Sequence, residues 1–162
     1  MEKGSLIIRD GTLQDVAVVA EFNRLLALET EGLALDYGVL HQGVSAVLGD
    51  ASKGRYFLAE DEGIVIGQTM ITYEWSDWRN GWFWWIQSVY IAKEARGRGR
   101  FRRIHDHISS RAMASKDVCG LRLYVDQHNR SAQEVYLRLG LARSGYELFE
   151  RVFERRQPPA GS

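Results

Sequence analysis

The sequence carries a single cysteine, Cys119, and only two prolines among its 162 residues. One thiol closes no disulfide within the chain, so the fold must rest on packing and hydrogen bonding, as expected in a reducing compartment. Charge of either sign is not in excess: 21 Lys and Arg balance 21 Asp and Glu. A dedicated nucleic-acid binder ordinarily carries a basic surplus, and none is present. Long apolar runs are missing as well. No stretch approaches the ~18 uninterrupted residues of a membrane helix, and the N-terminal residues through Arg9 lack the apolar core of a signal peptide. The expectation is a cytoplasmic protein with no nucleic-acid or membrane partner.

What is present is ordinary for a globular domain: 45% hydrophobic and 26% charged residues. The length suits one domain, expected over residues 1–153, followed by a polar tail, 154–162, that holds both prolines. The pattern predicts a strand from Ser5 to Arg9 and a helix to about Leu28, opened by Thr12 and Asp15 in capping-box spacing. A loop over Glu29–Gly38 and a second helix over Val39–Leu48 follow. Strands are predicted at Arg55–Glu60, Ile64–Trp75 and Trp82–Ala92, the last apolar on both faces and so placed inside the sheet. Gly67 marks a bulge or the close approach of another backbone. A helix over Arg100–Ser115, a strand over Leu121–Asp126, a helix over Ser131–Leu139 and a last strand over Gly145–Phe153 complete the order. The fold class is therefore α/β (α+β), a mixed sheet flanked by helices.

The strongest chemical signal is a strand ending Val89-Tyr90-Ile91, the run Arg96-Gly97-Arg98-Gly99-Arg100-Phe101, and then an amphipathic helix. A glycine turn at a helix start aims unpaired N–H groups at one point, beside the positive end of the helix dipole. That is an anion site. The glycines allow close approach of a diphosphate, and the arginines can meet further phosphates. Taken alone, the run has a second reading as a plain turn with a solvated basic helix start, and the anion site is the favoured one. It has neither the spacing of a dinucleotide fingerprint nor the Gly-Lys-Ser/Thr of a P-loop. A second signal is Asn129, Ala132 and Tyr136, spaced three and four apart on one helix face, with Gly140 closing the helix.

Together the two signals resemble the Gcn5-related N-acetyltransferase (GNAT) superfamily. Arg96 to Gly99 is similar to that family's acyl-CoA loop, although Phe101 stands where Gly or Ala is usual. Asn129-Arg130-Ser131-Ala132, Tyr136 and Leu139-Gly140-Leu141 are similar to its second motif. The resemblance implies a largely antiparallel sheet splayed between its fourth and fifth strands, acetyl-CoA as cosubstrate, no metal, and often a homodimer. It implies that Val89, Tyr90 and Ile91 line the pantetheine arm. Residues Arg96, Gly97, Arg98, Gly99, Arg100 and Phe101 would hold the diphosphate. Asn129 and Ser131 would contact CoA, and Tyr136 would protonate the leaving thiolate. The acceptor would be a primary amine of a small molecule, or of a peptide or protein, attacking directly in a ternary complex.

An amine of pKa ~10 must lose a proton, and Glu29, Glu31 and Glu74 are the candidate carboxylates, each otherwise a plain surface charge. All five tryptophans fall within eleven positions, 75–85. Trp75 and Trp85 are candidate walls for a cationic acceptor, and most of the cluster reads as core or interface. Strand alternation puts Trp82 and Trp84 on one face, Trp85 and Gln87 on the other. His105-Asp106-His107 is read as a solvated helix stretch rather than a metal site. Cys119 is read as a buried structural thiol. The rival functions are a non-catalytic acyl-CoA sensor and an arginine-loop nucleic-acid binder.

Overall fold

The computed structural model describes residues 6–154, so Ser5 and residues 155–162 of the expected tail lie outside the described residues. The chain divides into two compact units, the first ending at Asp126 and the second beginning at Gln127.

The first unit is a five-stranded sheet with helices on both faces. Its strands are β1 (Ile7–Asp10), β2 (Arg55–Asp61), β3 (Ile64–Ser76), β4 (Gly81–Ile91) and β5 (Val118–Leu123), lying in that order across the sheet. The first four pair antiparallel, and β5 runs parallel to β4. A parallel neighbour needs a crossover, and helix α3 (Arg100–Ala114) supplies it. The β2–β3 turn has both Glu62 and Gly63 at positive φ, 51° and 80°, as a tight hairpin with right-handed strand twist requires.

Helices α1 (Val16–Glu31) and α2 (Tyr37–Gly49) cover one face of the sheet. The first helix runs three residues past Leu28, into the expected loop. It stops at Gly32, which adopts φ 63° and donates its N–H to the Leu28 carbonyl, closing a left-handed helix end. Asp36 then caps α2 by accepting from the Val39 amide at 2.8 Å. At the entry to α1 the predicted acidic cap is real: Thr12 N–H donates to Asp15 Oδ2 at 2.8 Å. The fork of Arg9 grips the same carboxylate at 2.9 Å through each terminal nitrogen.

Two apolar clusters fill the two faces. Leu6, Phe57, Ala59, Ile71, Ile86, Ile104 and Ile108 pack on the α3 side. Val16, Val19, Ala20, Val44, Tyr56 and Leu58 pack under α1 and α2. Gly67 sits opposite Ala59 at a register shift in the β2–β3 ladder, and a Cβ there would stand 3.1 Å from the Tyr90 carbonyl. Both expectations for this glycine, bulge and close approach, therefore hold.

Three expectations are corrected. Residues 145–154 form no ladder, so the strand expected at Gly145–Phe153 is absent: an alternating apolar pattern makes a strand only where an edge receives it. Cys119 is exposed because it lies within β5, the sheet's edge strand, rather than before it. His105 is buried, not solvated, since α3 turns it inward beside Ile104 and Ile108. Burial holds its imidazole below the ordinary value.

The second unit contains helix α4 (Arg130–Arg138). Asn129 caps it, accepting from the Ala132 amide at 3.1 Å. No helix among the described residues is long and apolar enough to cross a membrane.

Candidate functional site

The sheet opens at the end of β4. The last rung between β4 and β5 joins Ile86 to Leu123, where β5 stops. Residues 87–91 of β4 continue beyond it, laddered only to β3. Among the described residues, one backbone edge of β4 thus has no strand beside it from 87 to 91, and the chain goes on from there to the glycine turn.

A bulge shapes that segment. Tyr90 pairs with Gln68 and Gln87 pairs with Met70, so Ser88 and Val89 together oppose Thr69. Ser88 takes up the extra residue at φ 50°, the left-handed region that a serine rarely enters. The side-to-side alternation is inverted beyond it. Trp84 and Ile86 face α3, and so do Val89 and Ile91, while Tyr90 points to α1 and packs on Phe22 with ring centroids 5.0 Å apart.

A buried polar relay backs the bulge. The amide of Gln68, fully buried, donates to Asn23 Oδ1 at 2.7 Å and to the Ser88 carbonyl at 3.3 Å. Asn23 in turn donates to the Tyr56 hydroxyl at 2.9 Å. None of these residues was singled out from the sequence. The one available signal was Gln68 itself, a long polar residue between the apolar runs Ile64-Val65-Ile66 and Met70-Ile71.

Past Ile91 a single 3₁₀ turn, Lys93–Ala95, leads into the exposed run Arg96–Gly99. Gly97 and Gly99 adopt φ 74° and 68°, and Gly99 is the residue from which α3 starts. Among the described residues no backbone acceptor takes the amides of Gly97, Arg98, Gly99 or Arg100. The Phe that replaces the usual small residue falls within the first turn of α3, so it leaves the glycine turn intact. A cavity of about 360 Å³ opens beside the turn, with Asp61, Ile66, Ala92, Arg98 and Arg100 in its wall. Arg100 is tied to Asp61 at 2.8 Å.

Of the candidate carboxylates, Glu29 reaches this turn. It accepts from Arg96 at 2.7 Å and from the Tyr90 hydroxyl at 3.2 Å. The Arg96 guanidinium, helped by that hydroxyl, holds the carboxyl below its usual range. Glu31, two residues on, is exposed at the end of α1. Glu74 lies elsewhere, on the sheet face that also carries Trp85. It accepts from the Trp85 indole and from Arg122, each at 2.7 Å. Arg122 lies 3.7 Å over the Phe83 ring, and Trp85 stacks on Tyr124 at 4.4 Å. Trp75 is on the opposite face, edge-on to Trp82 at 4.9 Å, so Trp75 and Trp85 do not line one wall.

In the second unit, Ala132 and Tyr136 stand one turn apart on α4, and Ser131 is exposed. Burial pushes the Tyr136 hydroxyl up, keeping it protonated at neutral pH. Asn129 is committed to the helix cap. Among the described residues no cluster of three or more His, Cys, Asp or Glu gathers as a metal site.

The family model of the GNAT acetyltransferases matches residues 21–141, from within α1 to just beyond α4. The chain belongs to this acetyltransferase family. A possible acetyltransferase from Clostridium difficile 630 is similar at 41% identity, with a TM-score of 0.88 over 93% of this chain and 99% of that one. A predicted acetyltransferase with acetyl-CoA from Clostridium acetobutylicum shares the fold at 16% identity and a TM-score of 0.73, over 91% and 96% of the two chains. So does a ribosomal-protein-alanine N-acetyltransferase from Brucella melitensis biovar Abortus 2308, at 14% identity and a TM-score of 0.74, over 93% and 100%. No curated protein matches the sequence. The splayed β4–β5 pair and the glycine turn are thus found in a chain of the family whose loop motif they resemble.

Proposed function

We propose that this chain binds acetyl-CoA along the open edge of β4 and passes the acetyl group to a primary amine, by direct attack in a ternary complex. One observation carries the reading. β5 ends at Leu123 while β4 runs on to Ile91, and beyond that edge follow the N–H groups of Gly97 to Arg100, which among the described residues donate to no backbone acceptor. An extended pantetheine arm can pair with such an edge as a strand would. The diphosphate then falls at the start of α3, where free N–H groups and the helix dipole favour an anion.

The chemistry follows from charge. As the amine attacks, the thioester oxygen becomes an oxyanion, and a backbone amide at the bulge beside Val89 is assigned to receive it. The departing thiolate has a pKa near ~8.5 and takes its proton from Tyr136, whose burial keeps that proton in place. Glu29 anchors Arg96 rather than serving as the base, because a carboxylate held ionised by a guanidinium is a weak proton acceptor. The proton that the amine nitrogen loses passes to water on the acceptor side, to which Glu74, with Trp85 and Tyr124, is assigned.

Calorimetry with CoA, followed by thiol release on a panel of primary amines, tests the proposal. Micromolar binding, a rise in melting temperature and amine-dependent release of CoA are expected. No heat and no melting shift would overturn it. Binding with no release across the panel would favour an acyl-CoA sensor instead.

A further inference from the structure

The bulge beside Val89 is held from behind by a ring of polar groups to which the acyl-transfer steps give no task. Ser88 sits at φ 50°, a left-handed conformation that a residue with a side chain keeps only where its surroundings dictate it. Four elements supply those surroundings: Asn23 comes from α1, Tyr56 from β2, Gln68 from β3 and Ser88 itself from β4. Gln68 Nε2 donates both to Asn23 Oδ1, at 2.7 Å, and to the Ser88 carbonyl, at 3.3 Å. Asn23 donates to the Tyr56 hydroxyl at 2.9 Å, and that hydroxyl also meets the Ser88 side chain. Ser88 is thus held twice, at its carbonyl and at its side chain.

Two features separate this ring from ordinary satisfaction of core polar groups. Gln68 is fully buried, yet its Oε1 has no hydrogen-bond partner among the described residues. An unanswered buried acceptor costs stability, and an apolar side chain of the same length would remove that cost. What glutamine adds over such a side chain is its pair of amide hydrogens. One of them has a fixed target. A carbonyl can only accept, so the atom that faces Ser88 must be the nitrogen. The second feature is the peptide that this bond grips. The Ser88 carbonyl and the Val89 N–H belong to one planar trans unit, so they point in opposite directions. Holding the carbonyl towards Gln68 turns the N–H away from the buried ring.

We propose that Gln68 is a positioning residue for acyl transfer: by holding the Ser88 carbonyl it fixes the 88–89 peptide with the Val89 N–H turned to the thioester oxygen. Asn23 sets the Gln68 amide and Tyr56 sets Asn23, so α1 and β2 act on that peptide through one side chain. Gln68 itself touches neither acetyl-CoA nor the amine. A donor fixed before the reaction stabilises an oxyanion without having to reorient as the charge develops. This role rests on the acyl-transfer reading and adds to it the group that orients its oxyanion donor.

Gln68→Met keeps the length of the side chain and removes both donors. Its kcat should fall at least tenfold, short of the roughly 10²–10³-fold that follows outright loss of an oxyanion donor. Calorimetric affinity for CoA should stay within about twofold. Infrared difference spectra of acetyl-CoA labelled with carbon-13 at the thioester carbonyl supply a readout that a structural role would not move. Binding to the parent protein should lower the carbonyl frequency, and binding to Gln68→Met should leave it close to that of the free thioester. Ile108→Val, which thins the packing of α3, should lower the melting temperature and change neither kcat nor the band. If Gln68→Met does not fold, Asn23→Ala, which frees the Gln68 amide, should reduce kcat and the frequency shift in part. A parent-like kcat in the variant that folds would overturn the role of Gln68 and leave acyl transfer standing. So would a lowered kcat with a parent-like band, which would make Gln68 a structural residue. A parent protein with neither CoA binding nor turnover would overturn both readings.

Discussion

Arg96 of the glycine turn and Glu29 near the end of α1 form an ion pair at 2.7 Å, although 67 positions separate them. Arg96 also donates to the Ile91 carbonyl at 2.8 Å and lies over the Tyr90 ring. One side chain thereby fixes the end of β4, the start of the turn and the first helix relative to each other. Glu29→Gln should loosen the turn rather than remove a base. The expected result is a several-fold rise in KM for acetyl-CoA with kcat within about threefold, read from steady-state kinetics. A loss of kcat at unchanged KM would instead make Glu29 a proton acceptor.

Tyr136→Phe should lower kcat by roughly 10²-fold, the lower end for a lost general acid, while affinity for CoA stays within twofold by calorimetry. With the acid gone, acyl donors whose thiolate leaves more easily should suffer least. Full turnover in the variant would assign the thiolate's proton to solvent.

Acid should destabilise this protein in two separate steps. His105 and His107 are both held below the ordinary value of 6.5 by burial, so the unfolded chain binds protons that the folded chain refuses. Their contribution is complete above about pH 6.5 and is lost as pH falls through the lower folded values. The second step belongs to Asp15 and Glu29, whose carboxyls are lowered chiefly by Arg9 and Arg96. Their contribution is present above the ordinary values of 3.8 and 4.5 and fades below them. Melting temperature followed from pH 8 to pH 3 should fall in both ranges. His105→Leu should flatten the upper step only, and a curve flat between pH 7 and 5.5 in the parent protein would refute it.

Gly67→Ala places a methyl group 2.5 Å from Ile91 Cδ1 and 3.1 Å from the Tyr90 carbonyl. Overpacking of this kind costs about 1–3 kcal/mol. The displaced atoms belong to Tyr90 and Ile91, in the part of β4 that runs on past the end of β5, so the variant should lose affinity for CoA as well as melting temperature. A stability loss with unaltered CoA affinity would show that this edge does not touch the cosubstrate.

The fold was legible wherever a local pattern had a local cause. The Asp61-Glu62-Gly63 turn, the face alternation of Trp84 and Trp85, and the Gly97 and Gly99 turn all depend on a few adjacent residues, and all are found as expected. The features that escaped depend on partners far along the chain. Nothing near Ser88 marks it as the extra residue of a bulge, because the bulge is defined by a count on β3. Glu29 has the look of a free surface acid until Arg96 is placed beside it. Cys119 was read as a buried thiol lying before a strand that was expected to start at Leu121; β5 starts three residues earlier, at Val118, and carries Cys119 within it as an exposed side chain. The strand expected over Gly145–Phe153 is absent, because an alternating pattern fixes which side chains would share a face but not whether an edge receives the segment.

The extra residue at Ser88 has a consequence for how this strand tolerates change. Removing it would restore an unbroken pleat and leave every later side chain on the face it already occupies: Val89 alone would oppose Thr69, Val89 and Ile91 would stay towards α3, and Tyr90 would stay against Phe22. What would go is the local kink, together with the Ser88 carbonyl to which the buried Gln68 amide donates at 3.3 Å. A shortening by one residue would therefore keep the packing on both faces and change only the path of the backbone edge.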